Sequence, residues 1–243
     1  MEHHSEKQEN NAPDYFLPFS IIVAAAMIAG AWIYTSGLEK SPAENKIAEN
    51  GTNEINAGAE NIENIKAIAA NDHIFGNPNA SIKIVEFSDM ECPFCKRFHS
   101  DMKKIIGDYP GKVAWIYRHY PLDQLHSKAR KSAEAAECAN ELGGNEKFWV
   151  YLDGYFEVTP SNDQINLSQL PVIADKIGLD KAKFETCVNS GKYSAHVEEN
   201  FKDALNSGAR GTPYSIVIAP DGKKYPVSGA LPEQIRLVID QAL

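Results

Sequence analysis

The sequence predicts an α/β protein, and three patterns carry that prediction. Residues 82–87 alternate as a strand and are followed by a stretch with helical spacing. Residues 112–120 predict a second strand, after which comes a long helical block. Residues 214–243 predict a hairpin followed by a terminal helix. Together these elements predict one α/β domain with a helical insertion.

The chain before that domain divides into three segments. Residues 1–14 are polar and predict a disordered tail. Residues 15–34 carry no charged side chain and are long enough to cross the hydrocarbon core as a helix, so we expect a transmembrane anchor. A cleaved signal peptide is the alternative, although the acidic tail and the length of the apolar run disfavour it. Residues 35–71 are rich in Asn, Glu and Ala, lack aromatic side chains, and predict a flexible linker.

We expect the folded domain to span residues 72–243. Its first strand, at 82–87, has the sequence I-K-I-V-E-F, and residues 96–106 then repeat apolar side chains at helical spacing. The second strand, at 112–120, is rich in β-forming residues and ends at Pro121.

The helical block follows the second strand. Ala-rich helix formers predict a first helix over residues 127–142, and Gly143 and Gly144 form a stop signal after it. Gly178 and Gly191 interrupt the rest of the block. The further helices are predicted at residues 146–156, 167–177 and 180–206.

The last elements are two strands and a helix. Residues 214–219 and 223–227 predict strands joined by a Pro-Asp-Gly turn. Residues 232–243 predict a helix with one apolar face. The complete order of elements is that of a thioredoxin-like fold with a helical insertion.

Cys92, Pro93, Phe94 and Cys95 form a Cys-x-x-Cys motif between the first strand and the first helix. Unpaired backbone N–H groups and the helix dipole favour a thiolate at a helix N-terminus. Because the thiolate is the species that attacks disulfides, this position predicts thiol–disulfide chemistry. Pro93 suits the first helical turn, where a missing N–H removes no hydrogen bond.

Two other chemistries use such a cysteine pair. A structural zinc site would need a second close pair, and Cys138 and Cys187 lie far apart in the chain. The helix offers His99 as one further ligand, although we expect it to be a solvated helix histidine. Covalent c-type haem requires a histidine directly after Cys95, where Lys96 stands instead.

Six segments of the domain occur in a fixed order. They are D-H-I-F-G at residues 72–76, I-V-E-F-S-D at 84–89, the Cys-x-x-Cys motif, R-H-Y-P-L at 118–122, A-A-E-C-A at 135–139 and G-T-P at 211–213. In this order they resemble the DsbA-like family of thioredoxin-fold oxidoreductases. The resemblance covers the whole predicted domain. It implies a thiol–disulfide oxidoreductase that works through a redox-active disulfide, with no bound cofactor and no metal.

The resemblance implies roles for three residues around the motif. Cys92 is the nucleophile with a lowered pKa, and Cys95 is its buried resolving partner. Glu86 matches a buried acid that exchanges protons with the inner cysteine. The alternation of the strand also allows a solvent-facing position for Glu86.

The resemblance also implies a substrate-binding surface. Thr212 and Pro213 match a cis-proline loop whose backbone pairs with an extended substrate segment, beside Pro93 and Phe94. A trans proline at the start of a strand is the alternative. Phe94 replaces the histidine of the strongly oxidising members. The missing positive charge implies a higher pKa for Cys92 and a less oxidising pair than in those members.

Four further residues complete the predictions. Asp89 and Glu91 are expected as surface charges at the rim of the site, where their field disfavours a thiolate. Cys138 and Cys187 both lie in the helical block, and a structural disulfide between them is the preferred prediction. Two buried free thiols and a redox relay are the alternatives.

The net charge of −9 argues against a nucleic-acid binder. We expect a membrane-anchored oxidoreductase whose catalytic domain lies on the extracytoplasmic side, because disulfide exchange fits an oxidising compartment. Its expected partners are proteins with cysteine thiols and a membrane redox protein that resets the pair. Donation of a disulfide is the preferred direction. A reductase or isomerase using the same pair, and a non-enzymatic binding or zinc-binding module, are the alternatives.

Overall fold

The structure is a computed structural model that describes residue 62 and residues 64–243. The predicted tail, the predicted anchor at residues 15–34 and most of the predicted linker lie outside these residues. Within the described part of the chain, no helix is long and apolar enough to cross a bilayer.

The end of the predicted linker contacts the folded domain. The Lys66 amide donates a hydrogen bond to Asp203 Oδ1 at 2.9 Å, and the carbonyl of Ala67 accepts one from Arg118. The carbonyl of Ile62 accepts a hydrogen bond from Lys224. The contacts of the domain therefore begin before residue 72, earlier than the polar composition of this segment predicted.

In the part of the chain that the structure describes, five strands form one sheet. They are β1 (His73–Gly76), β2 (Ile82–Ser88), β3 (Val113–His119), β4 (Tyr214–Ile218) and β5 (Lys224–Ser228). Their spatial order is β1-β3-β2-β4-β5. Strands β2 and β3 are parallel, and the other neighbouring pairs are antiparallel. The sheet and the helix that connects its parallel strands confirm the predicted thioredoxin-like fold.

Within the described residues, six α-helices accompany the sheet. They are α1 (Pro93–Asp108), α2 (Ala129–Val158), α3 (Leu170–Lys176), α4 (Lys181–Ser190), α5 (Ser194–Asn206) and α6 (Pro232–Ala242). Helix α1 connects β2 to β3, and helices α2 to α5 form the insertion. Where the sequence predicted a stop, Gly144 has a non-helical backbone with φ 74° and ψ −175°, and the helix continues after this kink.

Strand β1 was not predicted from the sequence. It has only four residues, which is too short for an alternating pattern to stand out. It pairs antiparallel with β3, with Phe75 opposite Trp115. The sheet therefore has five strands where four were predicted.

Both faces of the sheet are covered, and this decides which way Glu86 points. Ile82 and Ile84 belong to the apolar cluster that includes residues of α1, α2 and α6. Val85 and Phe87 belong to the cluster on the other face, which includes Ala204 of α5. Because side chains alternate along a strand, Glu86 shares the face of Ile82 and Ile84, under α1.

Candidate active site

The cysteine pair lies at the N-terminus of α1, as the motif predicted. Cys92 is the residue that precedes the first helical turn, with φ −75° and ψ 124°, and Pro93 begins the helix. Both thiols are free and both residues are buried, Cys92 with 4% and Cys95 with 0% of its surface exposed. Cys92 therefore presents its sulfur at the helix end, while Cys95 lies in the first turn against the core.

The surroundings separate the acidities of the two thiols. A hydrogen bond from the Cys95 thiol, together with the backbone N–H groups of Phe94 and Cys95, lowers the pKa of Cys92 to about 6, although burial opposes this. Burial raises the pKa of Cys95 well above its ordinary value, and negative charge at Cys92 and Glu86 raises it further. At neutral pH the reduced pair thus carries its thiolate on Cys92.

Glu86 is buried beneath α1, with 1% of its surface exposed. Burial raises its pKa to about 7, and negative charge at Cys92 adds to the effect. A carboxyl group with this pKa exchanges its proton near neutral pH. The structure thus places Glu86 in the buried position rather than in the solvent-facing alternative.

The loop before β4 lies against the outer cysteine. The Thr212–Pro213 peptide bond is cis. Cys92 Sγ is 3.5 Å from the carbonyl oxygen of Thr212, and the amide of Gly229 donates to the carbonyl of Pro213. The structure therefore brings Thr212 and Pro213 to the same place as Cys92, although 120 residues separate Cys92 from Thr212 in the chain.

The prediction that Asp89 is a surface charge is wrong. Asp89 has 1% of its surface exposed. Its carboxylate accepts hydrogen bonds from the amides of Glu91 (2.7 Å) and Leu122 (2.8 Å) and pairs with His126 Nδ1 at 2.9 Å. Its backbone carbonyl accepts the amide of Cys92 at 3.1 Å. These partners offset the loss of solvation, so Asp89 anchors the turn that carries Cys92.

The prediction for Glu91 is also wrong, because the side chain has 0% of its surface exposed. Its carboxylate accepts hydrogen bonds from the Tyr155 hydroxyl, the Thr159 hydroxyl (3.0 Å) and the Ile165 amide (3.5 Å). These residues belong to the end of α2 and the loop after it. Glu91 therefore connects the helical insertion to the active-site turn.

His99 is not the solvated histidine that was expected. It is 5% exposed and packs against the rings of Trp115, Trp149 and Phe156. Its Nε2 lies 2.7 Å from Asp153 Oδ1, so the imidazole is directed to that carboxylate and not to the cysteine pair.

Pro93 and Phe94 occupy the two positions between the cysteines. The Phe94 side chain is exposed, at 55%, and the Arg97 guanidinium lies 5.6 Å from the centre of its ring. An exposed aromatic residue next to a reactive sulfur provides apolar surface for another chain.

A groove that sequence reasoning missed lies next to the cis-proline loop. It encloses a cavity of about 320 Å³, and its lining residues come from the loop after β3, from α5 and from the approach to the cis-proline. They are Tyr120, Leu122, Asp123, Gln124, Leu125, Phe201 and Arg210. No local motif marks such a groove, because its walls combine the loop after β3 with Phe201 and Arg210, which lie far from that loop in the chain.

Cys138 and Cys187 form a disulfide in the structure, with a Cα–Cα distance of 5.9 Å. The bond joins α2 to α4 within the insertion. Both residues are buried in the larger apolar cluster. This arrangement corresponds to the preferred alternative for this pair, a structural disulfide.

Curated relatives of this chain carry the name Na(+)/H(+) antiporter NhaA. One from Salinispora tropica is 30% identical over 146 residues, which are 60% of this chain and 21% of that protein. One from Mycolicibacterium gilvum is 29% identical over 156 residues, which are 63% of this chain and 24% of that protein. The chain thus spans only about a fifth to a quarter of the length of these relatives.

Solved structures with the same fold include two DsbA proteins and BdbD. DsbA2 of Pseudomonas aeruginosa has a TM-score of 0.61 at 25% identity, over 72% of this chain and 96% of that chain. α-DsbA1 of Wolbachia pipientis has a TM-score of 0.61 at 25% identity, over 72% and 92%. Oxidised BdbD of Bacillus subtilis has a TM-score of 0.60 at 23% identity, over 70% and 92%.

The thioredoxin family model matches residues 69–240. The match includes the cysteine pair, Glu86, the cis-proline loop and the helical insertion. The resemblance that the sequence motifs predicted is thereby confirmed. The chain belongs to the thioredoxin family, among the DsbA-like protein thiol–disulfide oxidoreductases.

Proposed function

We propose that this protein oxidises cysteine pairs in other proteins by passing on the disulfide of Cys92 and Cys95. The observation that carries the proposal is the contrast between the two thiols. The pKa of Cys92 is lowered to about 6, and that of Cys95 is raised well above its ordinary value. Such a pair has one sulfur suited to exchange and one suited to stay inside the protein.

The first step is attack of a substrate thiolate on the oxidised pair. A bond forms between the substrate sulfur and Cys92 Sγ, the bond to Cys95 breaks, and Cys95 leaves with the electron pair. Because the pKa of Cys95 is high, the departing sulfur takes up a proton. Glu86, with a pKa of about 7, supplies that proton from beneath the pair.

The second step releases the product. The second substrate thiolate attacks the substrate sulfur in the mixed disulfide, and Cys92 leaves as a thiolate. Departure is favoured because the Cys92 thiolate is stable at neutral pH. Two electrons have then moved from the substrate to the pair, and the substrate holds the new disulfide.

The lowered pKa of Cys92 supports the oxidising direction. A stable thiolate stabilises the reduced enzyme and so makes its disulfide a better oxidant. A value of about 6 lies between those of about 3.5 for a strongly oxidising DsbA and about 7 for thioredoxin. This supports the milder oxidant inferred from Phe94.

The substrate is an extended segment with a cysteine, bound beside the cis-proline loop. The carbonyl of Thr212, next to Cys92, is placed to accept a backbone hydrogen bond from such a segment. Phe94 and the groove that contains Tyr120 and Phe201 offer apolar contacts to the side chains on either side of the cysteine. These contacts are broad rather than selective, which suits unfolded proteins as substrates.

We place the catalytic domain outside the cytoplasm, held to the membrane by residues 15–34. The apolar run in the sequence and the disulfide of the insertion support this location. A membrane redox protein is then the partner that reoxidises the pair. The antiporter activity in the names of the curated relatives is not part of this proposal, because the chain covers so little of those proteins.

The mechanism is tested with three variants. The oxidised protein is mixed with a reduced peptide that contains two cysteines, and formation of the peptide disulfide is followed. We expect Cys92→Ser to be inactive. Cys95→Ser has no disulfide to donate, so it is instead incubated with oxidised glutathione, and Cys92 should then displace one glutathione thiolate and hold the other glutathione as a mixed disulfide. As a control, the double variant Cys138→Ala/Cys187→Ala keeps the exchange chemistry. If Cys92→Ser oxidised the peptide at the unchanged rate, the cysteine pair would not be the catalyst. The non-enzymatic alternative would then be supported.

The reduction potential of the pair tests the direction. Equilibration with glutathione buffers is expected to place it between about −120 mV, as in DsbA, and about −270 mV, as in thioredoxin. A potential at or below the thioredoxin value would support the reductase alternative. A potential near −180 mV together with reshuffling of wrong disulfides would support an isomerase.

A further inference from the structure

A second cluster of titratable side chains plays no part in the proposed thiol chemistry. Glu137 on α2 is buried, and three imidazoles converge on its Oε1 atom. The Nε2 atoms of His73, His119 and His196 lie 2.8 Å, 3.0 Å and 3.5 Å from that oxygen. His73 belongs to β1, His119 to the end of β3 and His196 to α5.

Hydrogen bonds alone give an incomplete account of this convergence. A carboxylate oxygen has two lone pairs, and Oε1 of Glu137 already meets His73 and His119 at short distances. His196 is the third nitrogen at the same oxygen and lies at a longer distance. The cluster thus holds more nitrogen atoms than one oxygen can satisfy.

The geometry suits a shared cation. One ligand atom from each of His73, Glu137 and His196 lies within 4.8 Å of the other two. In a tetrahedral site with bonds of about 2.0–2.1 Å, neighbouring ligand atoms are about 3.3–3.4 Å apart. Small side-chain shifts therefore bring these three atoms to the distances of a zinc site.

The donor types agree with zinc. Zn²⁺ binds imidazole nitrogen and carboxylate oxygen, and three protein ligands leave a fourth position for water.

The cluster also offers a route by which a cation can enter and a residue that holds a ligand in place. The His196 side chain is 25% exposed, whereas those of His73, His119 and Glu137 are at most 4% exposed. A cation would enter past His196, where the fourth position faces solvent. His119 touches Glu137 and orients the ligand carboxylate, as groups behind metal ligands do.

We propose that His73, Glu137 and His196 form a zinc-binding site in which His119 orients Glu137. Bound zinc would connect β1, the strand at one edge of the sheet, to helices α2 and α5. The cysteine spacing of the sequence did not predict such a site, because none of its ligands is a cysteine.

The test uses the full chain with its cysteine pair oxidised, so that no free thiol competes for the metal. The variant His3→Gln/His4→Gln serves as the background, because these neighbouring histidines near the N-terminus could bind zinc themselves. Zinc is titrated against a chromophoric chelator. We expect one equivalent to bind with a Kd in the micromolar range or below, and His196→Ala to lose it.

Two further variants separate ligation from folding. His119→Gln is expected to keep the stoichiometry and to weaken zinc binding about 10- to 100-fold. Glu199→Gln, an exposed neighbour on the same helix as His196, is the matched control and should bind zinc as the background does. His196→Ala should oxidise peptides at the unchanged rate, so this proposal and the proposed function can fail separately.

A measurement on the protein with all its proposed ligands intact avoids the possibility that a substitution abolishes zinc binding by misfolding the protein. In NMR spectra of the imidazole nitrogens, one equivalent of zinc should shift Nε2 of both His73 and His196. The proposal is overturned if zinc fails to bind, if it binds equally well to His196→Ala, or if these nitrogens do not respond.

Discussion

At the scale of single residues, Cys92 and Cys95 show how one helical turn separates two identical side chains. Cys92 stands before the first turn, where the Cys95 thiol and then the backbone N–H groups of Cys95 and Phe94 stabilise its thiolate. Cys95 lies inside the turn, where burial disfavours a charge. The asymmetry follows from position in the helix and requires no neighbouring cation.

Glu86 yields a prediction about stability and pH. Its pKa is raised from an ordinary value of 4.5 to about 7, so the folded protein holds this proton more tightly than the unfolded chain. The resulting stability is fully present below about pH 4.5 and is lost as the pH rises through 7, a change of about 3 kcal/mol at most. We expect Glu86→Gln to unfold like the parent at pH 4 and to be more stable at pH 8.

Urea unfolding of the oxidised forms at both pH values measures this difference. Glu233→Gln, a carboxyl group near the start of α6, is the control and should show no such gain. The same Glu86→Gln variant should release Cys95 more slowly from mixed disulfides. Equal stability of parent and Glu86→Gln at pH 8 would contradict the raised pKa.

Asp89 and Glu91 are acids whose role depends on burial. Asp89 binds the turn before Cys92 to the loop after β3, and Glu91 binds it to the end of α2. An acid that accepts the amide two residues ahead is a common turn motif, and Asp89 accepts the amide of Glu91 in this way. That local signal was present in the sequence, whereas the long-range partners of both acids were not.

Removal of the Asp89 carboxylate should loosen the active-site turn. Asp89→Ala leaves the amides of Glu91 and Leu122 and the His126 ring without their partner, so we expect a loss of about 2–4 kcal/mol in the free energy of unfolding. Guanidinium unfolding checks this value. Asp101→Ala removes only a surface pair with Lys104 and should change stability by less than about 0.5 kcal/mol. Comparable losses in the two variants would show that Asp89 does not anchor the turn.

At the scale of elements, helix α2 shows a break that a glycine permits. The backbone of Gly144, with φ 74° and ψ −175°, lies in a region that is almost restricted to glycine. The helix before the kink carries Cys138 and Glu137, and the helix after it carries Tyr155, which binds Glu91. The kink therefore lets the two halves of one continuous helix pack differently, the first within the insertion and the second against the active-site turn.

A pair of glycine variants tests the kink. An added Cβ meets no atom within 4 Å at Gly144 or at Gly107 of α1, so the two positions differ in backbone conformation and not in space. We expect Gly144→Ala to lower the free energy of unfolding by about 1–3 kcal/mol. Gly107→Ala should leave it unchanged or raise it by up to about 1 kcal/mol. Thermal unfolding monitored by circular dichroism measures both, and a neutral Gly144→Ala would mean that the kink relaxes.

At the scale of the whole molecule, the redox state of one residue pair should change global stability. The folded state lowers the pKa of Cys92 to about 6, and an unfolded cysteine has a pKa of about 8.5. The stabilisation of the reduced protein by its thiolate is therefore fully present above about pH 8.5 and is lost as the pH falls through 6. The oxidised pair does not titrate.

We expect the Tm of the reduced protein to increase relative to the Tm of the oxidised protein as the pH rises from 5 to 8.5. The Cys92→Ser variant, under reducing conditions, should lack this gain. Calorimetry at several pH values makes the comparison. A difference between the two redox forms that does not depend on pH would argue against a lowered pKa for Cys92.

The fold was predictable because its signals are local. Alternation identified β2, helical spacing identified α1, and the Pro-Asp-Gly turn identified the hairpin of β4 and β5. Strand β1 was not predicted because four residues are too few to show an alternating pattern. Its place in the sheet comes from pairing with β3, which lies about 40 residues away in the chain.

The sequence by itself determined the reactive pair, its helix terminus and the order of elements around it, because these depend on residue type and short-range spacing. Only the tertiary structure decided the burial of Asp89, Glu91 and His99 and the meeting of three histidines at Glu137. Burial and convergence depend on which distant segments pack together. The identity of a polar residue does not show whether its hydrogen bonds go to water or to buried partners.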